Sequence, residues 1–331
     1  MAEKEPLLRI KDLKKYFSVK ASKSRKKMTL KAVDGVSMEI YPGETVGLVG
    51  ESGCGKSTLG RAILSLNPAT SGSIEFEGKE LSGKNRKELR PYRKHMQIIF
   101  QDPYASLNPR KTIFEAVKAP LDSFHMGTEE EIKKRTEDVL RFVGMGEYQF
   151  YKLPHELSGG QRQRVVIARA MVLNPKFIVC DEPVSALDVS VRSQVLNLMK
   201  AAQRETGVSY LFISHDMSVV RYLCDKIAVM YLGEIVEFGS KKQIFDTPRH
   251  PYTKALLSAI PVPDVEQKKQ RIVLIGDVPS PLYPPSGCRF HNRCPYAKEA
   301  CSSLDHKLED MGEGHFVACL FANELIDGSS D

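Results

Sequence analysis

A glycine-rich run near the amino terminus has the residue types and spacing that bind phosphate groups. It follows a short apolar segment, residues 44–49, and precedes a segment of helical periodicity from residue 56 to about residue 66. The run allows a tight turn whose backbone N–H groups point inward, and the positive end of the following helix also attracts an anion. The residues expected at the phosphates are Gly50, Ser52, Gly53, Cys54, Gly55, Lys56, Ser57 and Thr58. Lys56 would reach the β- and γ-phosphates and Ser57 would bind Mg²⁺, so the run predicts a nucleotide site.

A second apolar segment ends in two carboxylates. Residues 177–180 are of the buried type, and Asp181 and Glu182 follow them directly. If this segment is a strand beside the one that leads to the glycine-rich run, Asp181 would lie near Mg²⁺ and Glu182 near the γ-phosphate. Glu182 could there orient and deprotonate an attacking water. Alone, the pattern also fits acids that cap a helix, but after a phosphate-binding run it predicts a hydrolytic site.

Four other polar stretches occur in a fixed order between residues 101 and 216. They are Gln101 after the apolar residues 98–100, Leu157-Ser158-Gly159-Gly160-Gln161 at the start of a helical segment, Ser185-Ala186-Leu187-Asp188, and Ser214-His215-Asp216. Taken singly, such a histidine is more often structural and such a glutamine is more often a surface amide. Together with the two motifs above, the stretches resemble the Q-loop, signature sequence, D-loop and switch histidine of the ABC ATPases, in that family's order.

The resemblance implies that the nucleotide is ATP, bound with Mg²⁺, and it implies a role for each residue. The catalytic residues would be Glu182, which activates water, His215, which senses the γ-phosphate, and Gln101. The Mg²⁺ ligands would be Ser57, Gln101 and Asp181. Tyr16 would stack on adenine, with Phe17 as its rival.

The signature sequence implies a second chain. A Ser-Gly-Gly turn at a helix start is itself a phosphate cradle, and one chain rarely needs two cradles for one γ-phosphate. In the family, two chains pair head to tail, and the signature of each closes on ATP held by the other. The residues expected at this interface are Ser158, Gly159, Gly160, Gln161 and Asp188.

Three longer stretches, residues 101–109, 249–257 and 287–295, resemble the dipeptide and oligopeptide import ATPases, a group that includes nickel importers. The resemblance covers residues 7–322, and the sequence after the glycine-rich run resembles the second ATPase subunit of such importers more than the first. It implies three kinds of partner: a second, homologous ATPase subunit in a heterodimer, two membrane-spanning permease subunits and, indirectly, an extracytoplasmic solute-binding protein.

Four cysteines cluster near the carboxyl terminus: Cys288, Cys294, Cys301 and Cys319. In a reducing compartment such a cluster indicates metal binding before it indicates disulfides. The spacing lacks the close Cys pairs of structural zinc sites and suits an iron–sulfur cluster better. Some relatives of the resembled family carry a [4Fe–4S] cluster here, while Zn²⁺ and free thiols remain alternatives.

Composition favours a soluble chain of 331 residues, with 42% hydrophobic and 27% charged residues. No apolar run approaches the roughly 18 residues that cross a bilayer, and the charged amino terminus does not resemble a signal peptide. We therefore expect a peripheral protein at the cytoplasmic face of the membrane. The net charge of +7 and the basic residues 20–27 could attract nucleic acid, but no aromatic residue interrupts those residues for base stacking, so no nucleic-acid partner is expected.

These motifs need an α/β fold to position them. Strands that alternate with helices predict a P-loop ABC ATPase core with a mostly parallel sheet flanked by helices, an antiparallel β subdomain, an α-helical subdomain and a small Cys-rich extension. The predicted division is residues 1–101 (β subdomain and phosphate-binding part), 102–158 (helical subdomain), 159–260 (rest of the core) and 261–331 (Pro-rich linker and Cys-rich module). The last part is expected to add no strand to the sheet.

The sequence thus predicts an ATP-hydrolysing subunit that couples dimer closure to uptake of di- or oligopeptides. Three alternatives remain: the same kind of importer for nickel or another small solute, a soluble ABC-type ATPase acting on nucleic acid or ribosomes, and a metal-sensing regulator whose ATPase activity is incidental. Against the second, proteins of that kind typically carry two ATPase cassettes in one chain or a long coiled coil, and this sequence shows neither. Residue types alone do not choose the transported solute.

Overall fold

The computed structural model describes residues 5–20, 27–260 and 272–324, and these residues form two compact units. The first unit comprises residues 5–20, 27–40, 45–83, 214–260 and 272–324, and the second comprises residues 41–44 and 84–213. The four-part division expected from the sequence stays a prediction.

The strands are β1 Leu8–Lys20, β2 Lys27–Ile40, β3 Thr45–Val49, β4 Ser71–Phe76, β5 Lys79–Glu80, β6 Met96–Ile99, β7 Phe177–Asp181, β8 Ser209–Ile213, β9 Lys226–Tyr231, β10 Glu234–Ser240, β11 Glu309–Asp310 and β12 Phe316–Val317. The α-helices are α1 Lys56–Ile63, α2 Arg86–Arg93, α3 Pro103–Ser106, α4 Ile113–Phe124, α5 Glu129–Phe142, α6 Glu147–Phe150, α7 Gly159–Met171, α8 Val189–Thr206, α9 Met217–Leu223, α10 Lys241–Asp246, α11 Pro251–Ser258 and α12 Ala300–Ser303. Single 3₁₀ turns cover Pro154–Glu156 and His291–Arg293. Within the described residues, no helix combines the length and apolar character that crossing a membrane requires.

The first unit contains an antiparallel sheet in the order β2-β1-β4-β5 and a second group of strands in the order β11-β12-β10-β9-β3. Strands β1 and β2 pair antiparallel, and residues 21–26 between them lie outside the described residues. Strand β3 runs parallel to β9. Strands β9 and β10 form a hairpin, whose turn residues Leu232 and Gly233 both have positive φ, as a tight two-residue turn requires.

The second unit combines the parallel strands β8-β7-β6 with most of the helices. Strand β7 is fully buried, as its continuous apolar sequence predicts. Helices α4 and α5 confirm the expected helical segment, and each starts at a threonine in a reciprocal hydrogen-bonded cap with a glutamate three residues on. In α5 the buried residues Ile132, Thr136 and Leu140 recur every four positions, which gives the helix a single buried face.

The cysteine-containing tail (residues 272–324) adds two strands beside β10. The prediction that it adds no strand is wrong. Strand β12 pairs antiparallel with β10, with Val317 opposite Glu237, and β11 pairs with β12. Each of these strands has only two residues, too few for the alternation that reveals a strand in a sequence. By pairing with β10, the tail covers a strand edge that would otherwise be open.

An aromatic cluster attaches the tail to the rest of the first unit. Phe290 is 1% exposed, and its ring centre lies 5.3 Å from those of Tyr231 and Tyr252 and 5.7 Å from that of His250. Such tilted and edge-on ring pairs contribute beyond the area that they bury. The tail therefore has little core of its own and is stabilised by residues of β9 and α11.

A buried carboxylate reinforces this attachment. Glu237 of β10 is fully buried and accepts hydrogen bonds from the backbone N–H groups of Arg249 and His250. His315 of the tail donates to the same carboxylate at 2.7 Å. A buried charge with three donors is satisfied, whereas loss of a donor would leave part of its desolvation cost uncompensated.

Replacing Phe290 with alanine should destabilise the protein by about 3–5 kcal/mol, because the change leaves a cavity among Tyr231, Tyr252 and His250. Urea unfolding followed by circular dichroism measures this loss. The matched control is Tyr283→Ala, since Tyr283 is an aromatic residue of the same tail that is 71% exposed. Equal unfolding free energies for the two variants would contradict the packing role of Phe290.

Candidate functional site

The phosphate loop (residues 50–55) lies between β3 and α1 and comes so close to neighbouring backbone that two positions accept only glycine. A Cβ on Gly50 would lie 2.1 Å from the carbonyl oxygen of Met230, and a Cβ on Gly55 would lie 2.1 Å from that of Ala32. Both glycines also have positive φ, 153° and 110°. Gly53 has a positive φ of 78° but open space around it, so its constraint is conformational alone.

Lys56 is the first residue of α1 and folds back over the phosphate loop. Its Nζ donates to the carbonyl oxygens of Gly50 at 2.7 Å and Glu51 at 2.9 Å, and the residue is only 5% exposed. Gly55, which precedes the helix, has no side chain with which to cap its first N–H groups. The loop thus combines a buried ammonium group with the positive end of a helix, which is the arrangement that binds a phosphate chain.

The acidic strand end forms as predicted in the second unit. Asp181 is the last residue of β7 and is 2% exposed. Glu182 follows with φ of 49°, a left-handed conformation that is unfavourable for a side chain of this size. Its backbone N–H donates to the carbonyl of Ile213, and its own carbonyl accepts from the N–H and hydroxyl of Ser185. Strain held in place at a carboxylate is typical of a functional position.

Gln101 and Glu182, which lie 81 positions apart in the chain, meet in the structure. The Gln101 side-chain amide donates to a carboxylate oxygen of Glu182 at 3.2 Å. A shift of this glutamine would therefore change the hydrogen bonding of the predicted catalytic carboxylate, because the two side chains are in direct contact.

The predicted signature residues form the amino-terminal end of α7. The hydroxyl of Ser158 accepts from the N–H of Gln161 at 3.3 Å, and the side-chain oxygen of Gln161 accepts from the N–H of Ser158 at 3.0 Å. A Cβ on Gly160 would lie 2.3 Å from the side chain of Val191, which explains why glycine is needed there. A Cβ on Gly159 would meet no atom within 4 Å, so there is open space beside the backbone at this helix end.

Two more predicted residues lie at helix starts. Asp188 caps α8 by accepting from the N–H of Val191 at 2.9 Å, and this hydrogen bond is the main reason why the pKa of its exposed carboxyl is lowered. His215 is exposed on the segment before α9 and belongs to the first unit, together with Tyr16 and the phosphate loop. The first unit also carries Lys56, Ser57, Thr58 and the four clustered cysteines, whereas the second unit carries Gln101, Ser158, Gly159, Gly160, Gln161, Asp181, Glu182 and Asp188.

Tyr16 uses its hydroxyl for a structural contact. The hydroxyl donates to Asp34, and burial is the main cause of a raised pKa for this phenol. The Lys31 ammonium lies 5.7 Å from the Tyr16 ring centre, and the Lys15 ammonium lies 5.0 Å from that of its rival, Phe17. Both rings thus lie beside a cation, and the adenine-stacking role of Tyr16 stays a prediction.

The four clustered cysteines converge on one small cavity. The cavity has a volume of about 20 Å³, room for roughly one water molecule. It is lined by His250, Pro251, Cys288, Phe290, His291, Cys294, Tyr296, Cys301, His306, Cys319 and Phe321. Burial, followed by the neighbouring thiols, raises the pKa of Cys288 to about 12, and burial likewise raises that of Cys294 to about 11. Over the described ranges, no three or more His, Cys, Asp or Glu side chains are placed so that they could hold a metal ion. The thiols therefore come together without forming a metal-binding geometry.

Sequence analysis missed two residues that contact the phosphate loop. Arg293 forms an ion pair with Glu51, and the hydroxyl of Tyr252 accepts the Glu51 N–H at 2.8 Å. Both belong to the stretches at 249–257 and 287–295 that carry the resemblance to peptide importers, which is the signal that could have identified them. Tyr252 lies 201 positions and Arg293 lies 242 positions from Glu51 in the chain, so the sequence does not show these contacts.

Comparisons with known proteins agree with this geometry. Residues 33–185 match the family model for ABC transporters, and residues 236–301 match the model for the oligopeptide/dipeptide transporter C-terminal region. The oligopeptide transport ATP-binding protein AppF of Bacillus subtilis is 49% identical over 96% of this chain and 98% of its own length. The corresponding OppF of Escherichia coli is 48% identical over 96% of this chain and 97% of its own length.

Solved structures show the same fold. The cbiO1 protein of Clostridium perfringens, described as part of an ABC transporter complex, superposes with a TM-score of 0.63 at 30% identity, over 73% of this chain and 92% of that one. A dimeric ATP-binding cassette with bound ADP and Pi gives the same TM-score and identity over 71% of this chain and 98% of its own. The fold and site thus define the ATPase subunit of an ABC transporter. Within that class, the chain belongs to the family of oligopeptide transport ATP-binding proteins.

Gly55→Ala should abolish ATP binding, because its Cβ would overlap the carbonyl of Ala32. Gly53→Ala, which meets no atom within 4 Å, should cost only the strain of a positive φ and weaken binding by about tenfold or less. Equilibrium binding of a fluorescent ATP analogue distinguishes the two variants. Similar losses at both positions would mean that crowding does not govern the loop.

Proposed function

We propose that this chain hydrolyses ATP to drive import of di- or oligopeptides. The observation that supports this most strongly is Glu182, which is intact at the end of β7 and hydrogen-bonded to Gln101, in a chain whose relatives are oligopeptide transport ATP-binding proteins over nearly their full length. A carboxylate in this position can act on a water that attacks the γ-phosphate.

Each predicted residue takes a distinct part in the proposed reaction. The phosphate-loop N–H groups and Lys56 bind the triphosphate, and Ser57, Gln101 and Asp181 hold Mg²⁺. Glu182 activates water and His215 donates to the γ-phosphate. Residues 158–161, with Asp188, close on ATP held by a second chain, because the open backbone beside Gly159 lies at the positive end of α7.

The proposed assembly places this chain at the cytoplasmic face of the membrane as a peripheral subunit. It pairs with a second, homologous ATPase subunit and docks on two membrane-spanning permease subunits, which receive peptides from an extracytoplasmic binding protein. ATP that bridges two chains favours a closed dimer, and hydrolysis reverses closure. The helical segment after Gln101 is the proposed docking site for the permeases, so the contact of Gln101 with Glu182 would link docking to hydrolysis.

Replacing Glu182 with glutamine should reduce ATP hydrolysis by at least about 100-fold, because the general base is lost. In proteoliposomes that contain the full importer, peptide uptake should fall in parallel. Glu205→Gln, which changes an exposed glutamate of α8, is the matched control and should retain both activities. Persistent ATP hydrolysis in Glu182→Gln would contradict the proposal. So would an unaltered importer whose ATP hydrolysis is stimulated by nickel and not by peptides.

We further propose that the tail cysteines hold a [4Fe–4S] cluster, with a Zn²⁺ ion as the alternative. The support is the convergence of four thiols on one cavity, and the cluster would require the thiols to move closer than they lie here. Cys288, Cys294, Cys301 and Cys319 would be the ligands, and the metal would stabilise a small module that has little core of its own.

Anaerobic purification tests the metal. We expect about four iron atoms and four sulfides per chain, with visible absorption that Cys301→Ser removes. Cys224→Ala, at a buried cysteine outside the tail, is the control and should leave iron content unchanged. Zinc in place of iron would select the alternative, and a metal-free protein would refute both.

A further inference from the structure

The tail contacts the phosphate loop through an ion pair with Glu51. The two terminal nitrogens of Arg293 donate to the two carboxylate oxygens of Glu51, at 2.7 and 3.0 Å. Such a two-pronged pair fixes orientation as well as distance. The Arg293 side chain is only 7% exposed, and it lies in the 3₁₀ turn directly before Cys294.

A second contact reaches the backbone of the same residue. The Tyr252 hydroxyl accepts the Glu51 N–H at 2.8 Å. Tyr252 is fully buried, and its ring packs edge-on against Tyr231, with 4.8 Å between centres, and at a tilt against Phe290 of the tail. Because the ring is enclosed in this way, the hydroxyl is held at a fixed position relative to the loop.

These contacts act on Lys56 through one peptide group. The N–H of Glu51 and the carbonyl of Gly50 belong to the same planar unit, so fixing one fixes the direction of the other. Tyr252 holds the N–H side of this unit, and the Nζ of Lys56 binds its carbonyl side at 2.7 Å. The position of the lysine that would reach the phosphates therefore depends on Tyr252.

Charge supplies a second effect. Glu51 places a carboxylate inside a loop that would bind a polyanion, and an unpaired negative charge there would repel ATP. Arg293 neutralises it, because both terminal nitrogens of its guanidinium donate to the Glu51 carboxylate.

We propose that Arg293 and Tyr252 are positioning residues of the ATP site, so that the cysteine-containing tail sets the affinity of the phosphate loop for ATP. This inference rests on the proposed binding of ATP at that loop. In this proposal both residues act through their contacts with Glu51.

The experiment measures the dissociation constant of ATP for the purified full-length chain, and KM and kcat for ATP in the assembled importer. Arg293→Gln should raise the dissociation constant and KM about fivefold to tenfold and change kcat by less than about twofold, because binding and not chemistry is disturbed. Glu51→Gln combined with Arg293→Gln should recover most of the lost affinity, because the unpaired charge is then gone.

Arg249→Gln is the matched control, since the Arg249 side chain contacts Asn323 in the same region and not the phosphate loop. It should leave the ATP affinity unchanged. Tyr252→Phe removes a single hydroxyl from a retained ring and should weaken ATP binding about threefold to fivefold, with a melting temperature close to that of the unaltered chain.

Three results would overturn the inference: unchanged ATP affinity in Arg293→Gln, an equal loss in Arg249→Gln, or a double variant as weak as Arg293→Gln alone. If Arg293→Gln does not fold, Tyr252→Phe decides in the same way, by weakened or unchanged ATP affinity. ATP affinity is independent of the transported solute. If the variants lose ATP affinity as expected but the importer does not take up peptides, the proposed function is contradicted and this inference is not.

Discussion

The nucleotide site depends on the close approach of the phosphate loop to two carbonyl groups, those of Ala32 on β2 and Met230 on β9. Because these strands confine the loop, only glycine fits at positions 50 and 55. Lys56 adds hydrogen bonds to two carbonyl oxygens of the confined loop. A loop that such contacts hold in one conformation loses less entropy when it binds. The turn between β9 and β10 also supports the phosphate loop, because the N–H of Gly233 donates to the carbonyl of Cys54.

The tail belongs to the same system of supports. Its strand β12 pairs with β10, Phe290 fills an aromatic cluster, and Arg293 meets the phosphate loop. The residues that attach the tail are thus close neighbours of those that shape the ATP site. A metal that ordered the cysteines would act beside Arg293, which precedes Cys294 directly in the chain. This proximity gives a tail without a large core a direct connection to the loop that is proposed to bind ATP.

Local chemistry accounts for what the sequence could predict. The position of the glycine run between β3 and α1 and the strand that ends at Asp181 could be predicted, because strand ends and tight turns depend on neighbouring residues. The two-residue strands β11 and β12 are missed because they are too short to show a pattern. The contact of Arg293 with Glu51 joins residues 242 positions apart, so only the fold reveals it. The four cysteines were expected to act together and do line one cavity, but spacing alone could not decide whether they hold a metal.

In the proposed assembly, ATP joins the phosphate loop of one chain to the signature residues 158–161 of another. Sedimentation of the Glu182→Gln variant mixed with its companion ATPase subunit tests this bridging role of ATP, because a pair that binds but does not hydrolyse ATP should remain closed. We expect a one-to-one pair with ATP and separate subunits without it. Separate subunits at saturating ATP, with nucleotide bound to each, would rule out the bridging role.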